Sequence, residues 1–189
     1  MARRMIKTAV LALMMVGASM HTIPANANAS FVIGDSVGPN ATTTGCPVNN
    51  VLIGFKSHTG IYVDGVRPIC IAVTSSGLWS GTAVTLEAIG NMGSSSQQHT
   101  TFCERDSAVV KVSGHSGWWL DELTVYCQKL RTPATTDSTT SFKHYVGGQD
   151  NGSTYESGDC HAQPVIAVRG TSGSYVNRLT FTCAALPTG

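Results

Sequence analysis

The chain has 189 residues, with 12 Lys and Arg against 11 Asp and Glu, a formal charge of +1 and six cysteines. Three of the 12 basic residues and five of the six methionines fall within the first 29 positions, so the remainder carries nine basic and 11 acidic residues, a charge of −2. That balance offers no basic surface and argues against nucleic acid or an anionic membrane as partner.

The chain opens with Arg3, Arg4 and Lys7, an apolar run over residues 8–18, and small residues at Ala25-Asn26-Ala27-Asn28-Ala29. This is the pattern of a secretory signal peptide over residues 1–29, too short for a membrane span. No later stretch reaches the length of an apolar membrane span. The expected localisation is secreted, periplasmic or extracellular. An even number of cysteines in an exported chain reads as a disulfide framework, and their wide spacing excludes a zinc site of the CxxC kind.

Past the leader, Phe31-Val32-Ile33 predicts a short strand, followed by turn residues from Gly34 to Asn40. Val51-Leu52-Ile53-Gly54-Phe55 predicts a second strand, and His58-Thr59-Gly60 turns the chain. Ile61-Tyr62-Val63 begins a return strand that runs through Val66 to Cys70 and Val73. Pro68 within it points to an edge or bulge position. Gly77 to Gly81 reads as a loop holding Trp79, and Ala83 to Leu86 as a further strand. The pattern then restarts. Ala88-Ile89-Gly90 echoes Val32-Ile33-Gly34, a polar run over residues 94–98 leads to Cys103, and Ala108 to Val112 precedes a turn at Gly114 to Gly117. Leu120 to Cys127 returns. Residues 131–141 read as a Thr/Ser-rich linker. Tyr145-Val146-Gly147-Gly148 starts a third round, completed by Cys160, Pro164 to Val168, and Val176 to Cys183.

The period is tight. Cys46, Cys103 and Cys160 are spaced by 57, Cys70 and Cys127 by 57, and Cys127 and Cys183 by 56. Gly60, Gly117 and Gly173 keep the same register. Three units over about 31–86, 87–143 and 144–189 therefore form one domain spanning 30–189. Each is all-β and too small to close a core alone, so three sheets facing one axis are expected. Within each unit the paired cysteines are equidistant from the hairpin turn. Residues placed so lie opposite one another, within disulfide reach. The expected bridges are Cys46–Cys70, Cys103–Cys127 and Cys160–Cys183, although a bulge in so long a ladder would shift the register and sequence alone leaves about 15 connectivities open.

Gly117-Trp118-Trp119-Leu120-Asp121, with the strands on either side, resembles the GxxxD loop of jacalin-related lectins, and residues 53–64 resemble the same segment. The tandem cysteine-bearing form also resembles secreted bacterial repeats of the jacalin and vitelline-membrane-outer-layer type. The resemblance implies a β-prism I-like fold of three Greek-key sheets. It also implies a metal-independent carbohydrate site, with no cofactor, between the GxxxD loop and a Gly-Gly loop. In such a site a carboxylate accepts charge-assisted hydrogen bonds from sugar hydroxyls, an aromatic ring covers the C–H face, and glycine admits the ligand close to the backbone. Carried onto this chain, the best-equipped site comprises Gly117, Trp118, Trp119, Leu120 and Asp121 with Gly147 and Gly148. A second comprises Gly60, Tyr62 and Asp64 with Gly90. The third copy has Asn177 in place of the acid, opposite Gly34-Asp35, and is expected to be weakened or lost.

Other readings stand beside these. Asp64 and Asp121 can serve as turn anchors. Trp118 and Trp119 should face opposite sides of a strand, one of them in the core. His58 and His115 read as solvated turn residues. Asp121 and Glu122 face opposite ways and make a poor acid/base pair. Asn40-Ala41-Thr42 and Asn151-Gly152-Ser153 match the glycosylation sequon, which matters only in a eukaryotic host. No nucleophile elbow, phosphate loop or metal constellation is present in the sequence. The expected partners are glycans or glycoconjugates, and a homo-oligomer is compatible with the pattern. The alternatives are an envelope or matrix scaffold without sugar binding and, behind it, a glycan-processing enzyme or toxin component.

Overall fold

The computed structural model describes residues 29–93, 97–130, 142–149 and 154–186, with the side chains of 142–144 left aside. The leader before Ala29, the linker over 131–141 and the sequon at Asn151 lie outside the described residues. In chain order the strands are β1 (Ser30–Ile33), β2 (Asn40–Gly45), β3 (Asn50–Thr59), β4 (Val63–Val73), β5 (Trp79–Thr85), β6 (Ile89–Gly90) and β7 (Gln97–Phe102). They continue as β8 (Ser107–Ser116), β9 (Leu120–Lys129), β10 (Phe142–Gly148), β11 (Thr154–Asp159), β12 (Val165–Ser172) and β13 (Val176–Cys183).

These strands form three antiparallel sheets, a β-prism. One has the order β10-β9-β8-β11, a second β1-β13-β12-β2, and the third β5-β4-β3-β7 with β6 also paired to β4. The long central hairpins, β3–β4, β8–β9 and β12–β13, are the strongly apolar segments of the three units. Apart from β5, which the first unit adds to its own hairpin, their outer partners come from the next unit in cyclic order: β6 and β7 flank the first hairpin, β10 and β11 the second, and β1 and β2 the third. The outer strands β2, β7 and β11 are polar, for example Asn-Ala-Thr-Thr-Thr-Gly in β2, and largely exposed. Such strands lack the apolar alternation that marks a half-buried strand, and the sequence pattern predicted no strand at any of them.

The apolar faces meet on the common axis. Ile33, Ile89 and Val146 occupy equivalent positions and are fully buried, as are Val63, Leu120 and Val176, and Val66, Leu123 and Leu179. The residues at positions 57, 114 and 170 must be small for this to close. A Cβ at Gly170 would stand 2.2 Å from Ile89 Cγ2, and one at Gly114 would stand 3.4 Å from Ile33 Cγ2 and 2.2 Å from the Glu122 carbonyl oxygen. In the first unit Ser57 takes this place and donates its hydroxyl to the Val146 carbonyl at 2.5 Å.

Pro68 is neither at a sheet edge nor wholly inside. On one side of β4 the neighbour changes from β5, which pairs Ile69 with Thr85, to β6, which pairs Val66 with Ile89. Pro68 falls in that gap, where its carbonyl accepts from Leu86 N–H at 2.8 Å and no ladder bond requires its missing N–H.

All three expected disulfides are present, with Cα–Cα separations of 5.6, 5.5 and 5.6 Å. The hairpin argument for them does not hold. Cys70 stands opposite Leu52, Cys127 opposite Val109 and Cys183 opposite Val165. The first cysteine of each pair instead ends an outer strand of a neighbouring sheet. Cys46 N–H bonds the Ile166 carbonyl, Cys103 N–H the Ile53 carbonyl and Cys160 N–H the Val110 carbonyl, at 2.7–2.8 Å. Each bridge therefore staples one sheet to the next, and the three close a ring around the axis.

Replacing Cys103 and Cys127 together by Ser should lower stability by about 3 kcal/mol, read from chemical unfolding under oxidising conditions. Gly170→Ala should cost roughly 1–3 kcal/mol by overpacking against Ile89, although its backbone is unstrained. A melting temperature unchanged from wild type would show that the axis can relax around the added methyl.

Candidate functional site

The three hairpin turns share one local design. Gly60 N–H bonds the Tyr62 carbonyl, Gly117 N–H the Trp119 carbonyl and Gly173 N–H the Tyr175 carbonyl, each at 3.0 Å. The residues after each glycine then point in fixed directions. The first, Ile61, Trp118 or Ser174, projects into solvent. The third, Val63, Leu120 or Val176, is fully buried in the axial core. The fourth, Asp64, Asp121 or Asn177, turns inward, with Asp121 only 5% and Asn177 8% exposed.

The second residue of each turn makes a contact that sequence reading did not foresee. Tyr62, Trp119 and Tyr175 meet at the end of the prism, with ring centroids 4.8 Å apart for Tyr62–Trp119, 5.0 Å for Tyr62–Tyr175 and 5.2 Å for Trp119–Tyr175. All three pairs are tilted or edge-on, the arrangement favoured by ring quadrupoles. Neither tryptophan lies in the core, contrary to expectation: Trp118 is 82% exposed and Trp119 37%. Both precede the first residue of β9, so strand alternation does not apply to them. The signal for the cluster was an aromatic residue two places after each repeated glycine.

The glycine loops lie where the cyclic pairing placed them. Gly148 is opposite Glu122 in the β9–β10 ladder, and Gln149 N–H bonds the Asp121 carbonyl at 2.7 Å. Gly90 is opposite Gly65, and Asn91 N–H bonds the Asp64 carbonyl at 2.8 Å. Gly34, Gly90 and Gly148 have φ of 97°, 87° and 96°, and a Cβ on any of them would stand 1.9–2.5 Å from the carbonyl oxygen of the residue at the acid position. Left-handed backbone and lack of space both demand glycine here. Gly147 fits against the Thr59 side chain, its Cβ position 2.4 Å from Thr59 Cγ2. Gly148 thus lies against Asp121, and Gly90 against Asp64, whereas Gly147 packs on Thr59, the Trp118 carbonyl accepts from Ser36 and Asn177, and Trp119 meets Tyr62 and Tyr175.

Supporting groups surround the second-unit loop. The Tyr145 hydroxyl donates to the Gly148 carbonyl. Its pKa is pushed up, first by burial and then by the Glu122 carboxylate. Glu122 accepts from Thr124 and pairs with His115 Nδ1 at 3.1 Å, and the His115 ring packs on Tyr155. His58 Nδ1 lies 2.7 Å from the Gly93 carbonyl. Both histidines therefore have protein partners rather than being merely solvated. A groove of about 470 Å³ runs between the Gly60 turn and the Gly148 loop, lined by Thr59, Gly60, Gln97, His99, Tyr145 and Gln149 among others. Among the described residues no cluster of three or more His, Cys, Asp or Glu is placed to hold a metal ion.

Solved structures with the same architecture are jacalin-related and other lectins. The mannose-binding lectin from champedak superposes with a TM-score of 0.61 at 11% identity, covering 83% of this chain and 97% of that one. A mannose-specific jacalin-related lectin from Morus nigra, solved with mannose, gives 0.58 at 14% identity, covering 82% and 94%. The agglutinin of Calystegia sepium gives 0.56 at 18% identity, again covering 82% and 94%. The chain shares the β-prism fold of these lectins. No family model and no curated protein matches the sequence.

Trp119→Ala should open the apical cluster from all three sides. The expected result is faster amide hydrogen exchange in the turns at residues 60–62 and 173–175 as well as in its own, with a stability loss of about 1–3 kcal/mol. Acceleration confined to residues 117–121 would show that the three turns are independent.

Proposed function

We propose that this is a secreted carbohydrate-binding protein of the jacalin-like lectin kind, active without a metal ion, cofactor or catalytic residues. In this reading residues 1–29 are removed on export and 30–189 form the mature domain. The principal site lies between Gly117–Asp121 and Gly147-Gly148, and a second between Gly60, Tyr62, Asp64 and Gly90. The observation that carries the reading is local. Trp118, 82% exposed, lies three residues before Asp121, and the Gly148 backbone is pressed against the Asp121 carbonyl. Exposed Trp118 supplies a stacking face for the apolar side of a pyranose ring. Asp121 supplies acceptors for paired hydroxyls. Mannose, the ligand of the Morus nigra lectin, is the first sugar to try.

One observation favours the scaffold alternative. The glycine at 148 is already required by its approach to the Asp121 carbonyl, and Asp121 itself is buried, so fold alone accounts for both. Sugar titration separates the two readings. A glycan array and calorimetry with mannosides should detect binding in the millimolar range or tighter, and Asp121→Ala should weaken it by about 10- to 100-fold, the cost of losing charge-assisted hydrogen bonds. Asp64→Ala should have a smaller effect. If no saccharide binds at millimolar concentration, the protein is a scaffold; if binding survives Asp121→Ala, the site lies elsewhere.

A further inference from the structure

The third copy of the loop departs from the other two at Asn177, and its amide has a specific task. Asn177 Nδ2 lies 2.9 Å from the Trp118 carbonyl oxygen and 3.2 Å from Ser36 Oγ, and Ser36 Oγ in turn donates to the Trp118 carbonyl at 2.5 Å. The orientation of the amide follows from its partner. A carbonyl oxygen can only accept, so the nitrogen of Asn177 must face it. Asn177 Oδ1 is buried without a partner on the other side, 2.4 Å from where a Cβ of Gly38 would stand. A second tie runs in parallel. Glu156 accepts from Gly34 N–H and from Ser116 Oγ, both at 2.5 Å, and so joins the same 34–38 loop to the residue before Gly117.

We propose that Asn177 is a positioning residue for the second-unit loop: the third copy has become a strut whose amide holds the Trp118 carbonyl, and through it the Trp118 side chain, in the geometry used by the Gly117–Asp121 site. This rests on the carbohydrate reading for its functional consequence but not for its structural one. It also reverses the expectation drawn from the repeat. Restoring the acid at position 177 completes a third GxxxD sequence, yet the carboxylate puts an acceptor against an acceptor. Ser36, with one proton to give, cannot serve both the carboxylate and the Trp118 carbonyl.

The test is Asn177→Asp in the full chain, read by hydrogen–deuterium exchange over residues 116–121 and by calorimetric titration with methyl α-mannopyranoside. Exchange over 116–121 should accelerate, and affinity should fall roughly tenfold, as expected for losing a donor to a carbonyl within a buried network, with no gain in the number of sites. A gain of one site per chain, or unchanged exchange, overturns the proposal. Ser36→Ala removes the other donor without touching the core, and should accelerate exchange in the same segment to a smaller degree; no change there likewise overturns it. If wild type binds no mannoside, the lectin reading fails for that sugar while the exchange measurement still decides the strut.

Discussion

The backbone of β13 is hydrogen-bonded to β12 on one side and to β1 on the other, so the first and last described strands belong to one sheet. Every other feature depends on that closure. Each unit contributes an apolar hairpin to its own sheet and hands its first two strands to the preceding one. No hairpin completes its sheet without the neighbouring unit, and the chain of exchanges ends only when β1 returns to β13. An edge strand left open at any seam would expose both unpaired backbone groups and an apolar face. The ring closes both at once, and the axial residues Ile33, Ile89 and Val146 become fully buried because all three sheets are present.

The disulfides follow the same logic. Because the first cysteine of each pair ends an outer strand and the second lies in the next hairpin, a bridge spans a seam rather than a ladder. Symmetry about each hairpin turn identified the right partners, because the cysteines keep the register of the repeat, although the geometry assumed for them is not the one observed. It could not show what the bridges join. Opposition across a hairpin requires Cys70 to face Cys46, whereas its ladder partner is Leu52. The repeat, the apolar hairpins and the glycine turns were legible because each is written in local composition. The outer strands β2, β7 and β11 were not. Their residues are polar on both faces, and they are strands because a neighbouring hairpin offers them an edge, a tertiary cause that no window of sequence contains.

At the apex the division is the same. The lectin resemblance implied pairing Gly148 with Asp121 and Gly90 with Asp64, and in the structure the residue after each glycine, Gln149 or Asn91, donates its N–H to the Asp carbonyl. That Tyr62, Trp119 and Tyr175 would converge could not be read from any one loop. Each lies two residues after a glycine in a turn, where neither helical nor strand periodicity assigns a direction, and the expectation that one tryptophan enters the core failed for this reason. Asn177 was read as a lost acid because comparison among the copies reveals only the departure. Its partners, Ser36 and the Trp118 carbonyl, are 141 and 59 residues away.

The three copies have therefore diverged in a particular way. Backbone geometry is kept: the Gly-to-carbonyl bond in each turn is 3.0 Å in all three, and the left-handed glycines agree within about ten degrees. Side chains facing the axis stay apolar or aromatic. What varies is the residue that projects outward, Ile61, Trp118 or Ser174, and the polar group behind it. A loop that has lost its acid is still needed, because the apical cluster requires a ring from each turn and the axis requires a hairpin from each unit. The fold alone therefore requires all three loops. The ties from Asn177, Ser36 and Glu156 bind the third copy and its neighbouring loop to the segment around Trp118, so that this departure from the repeat is itself a structural contact.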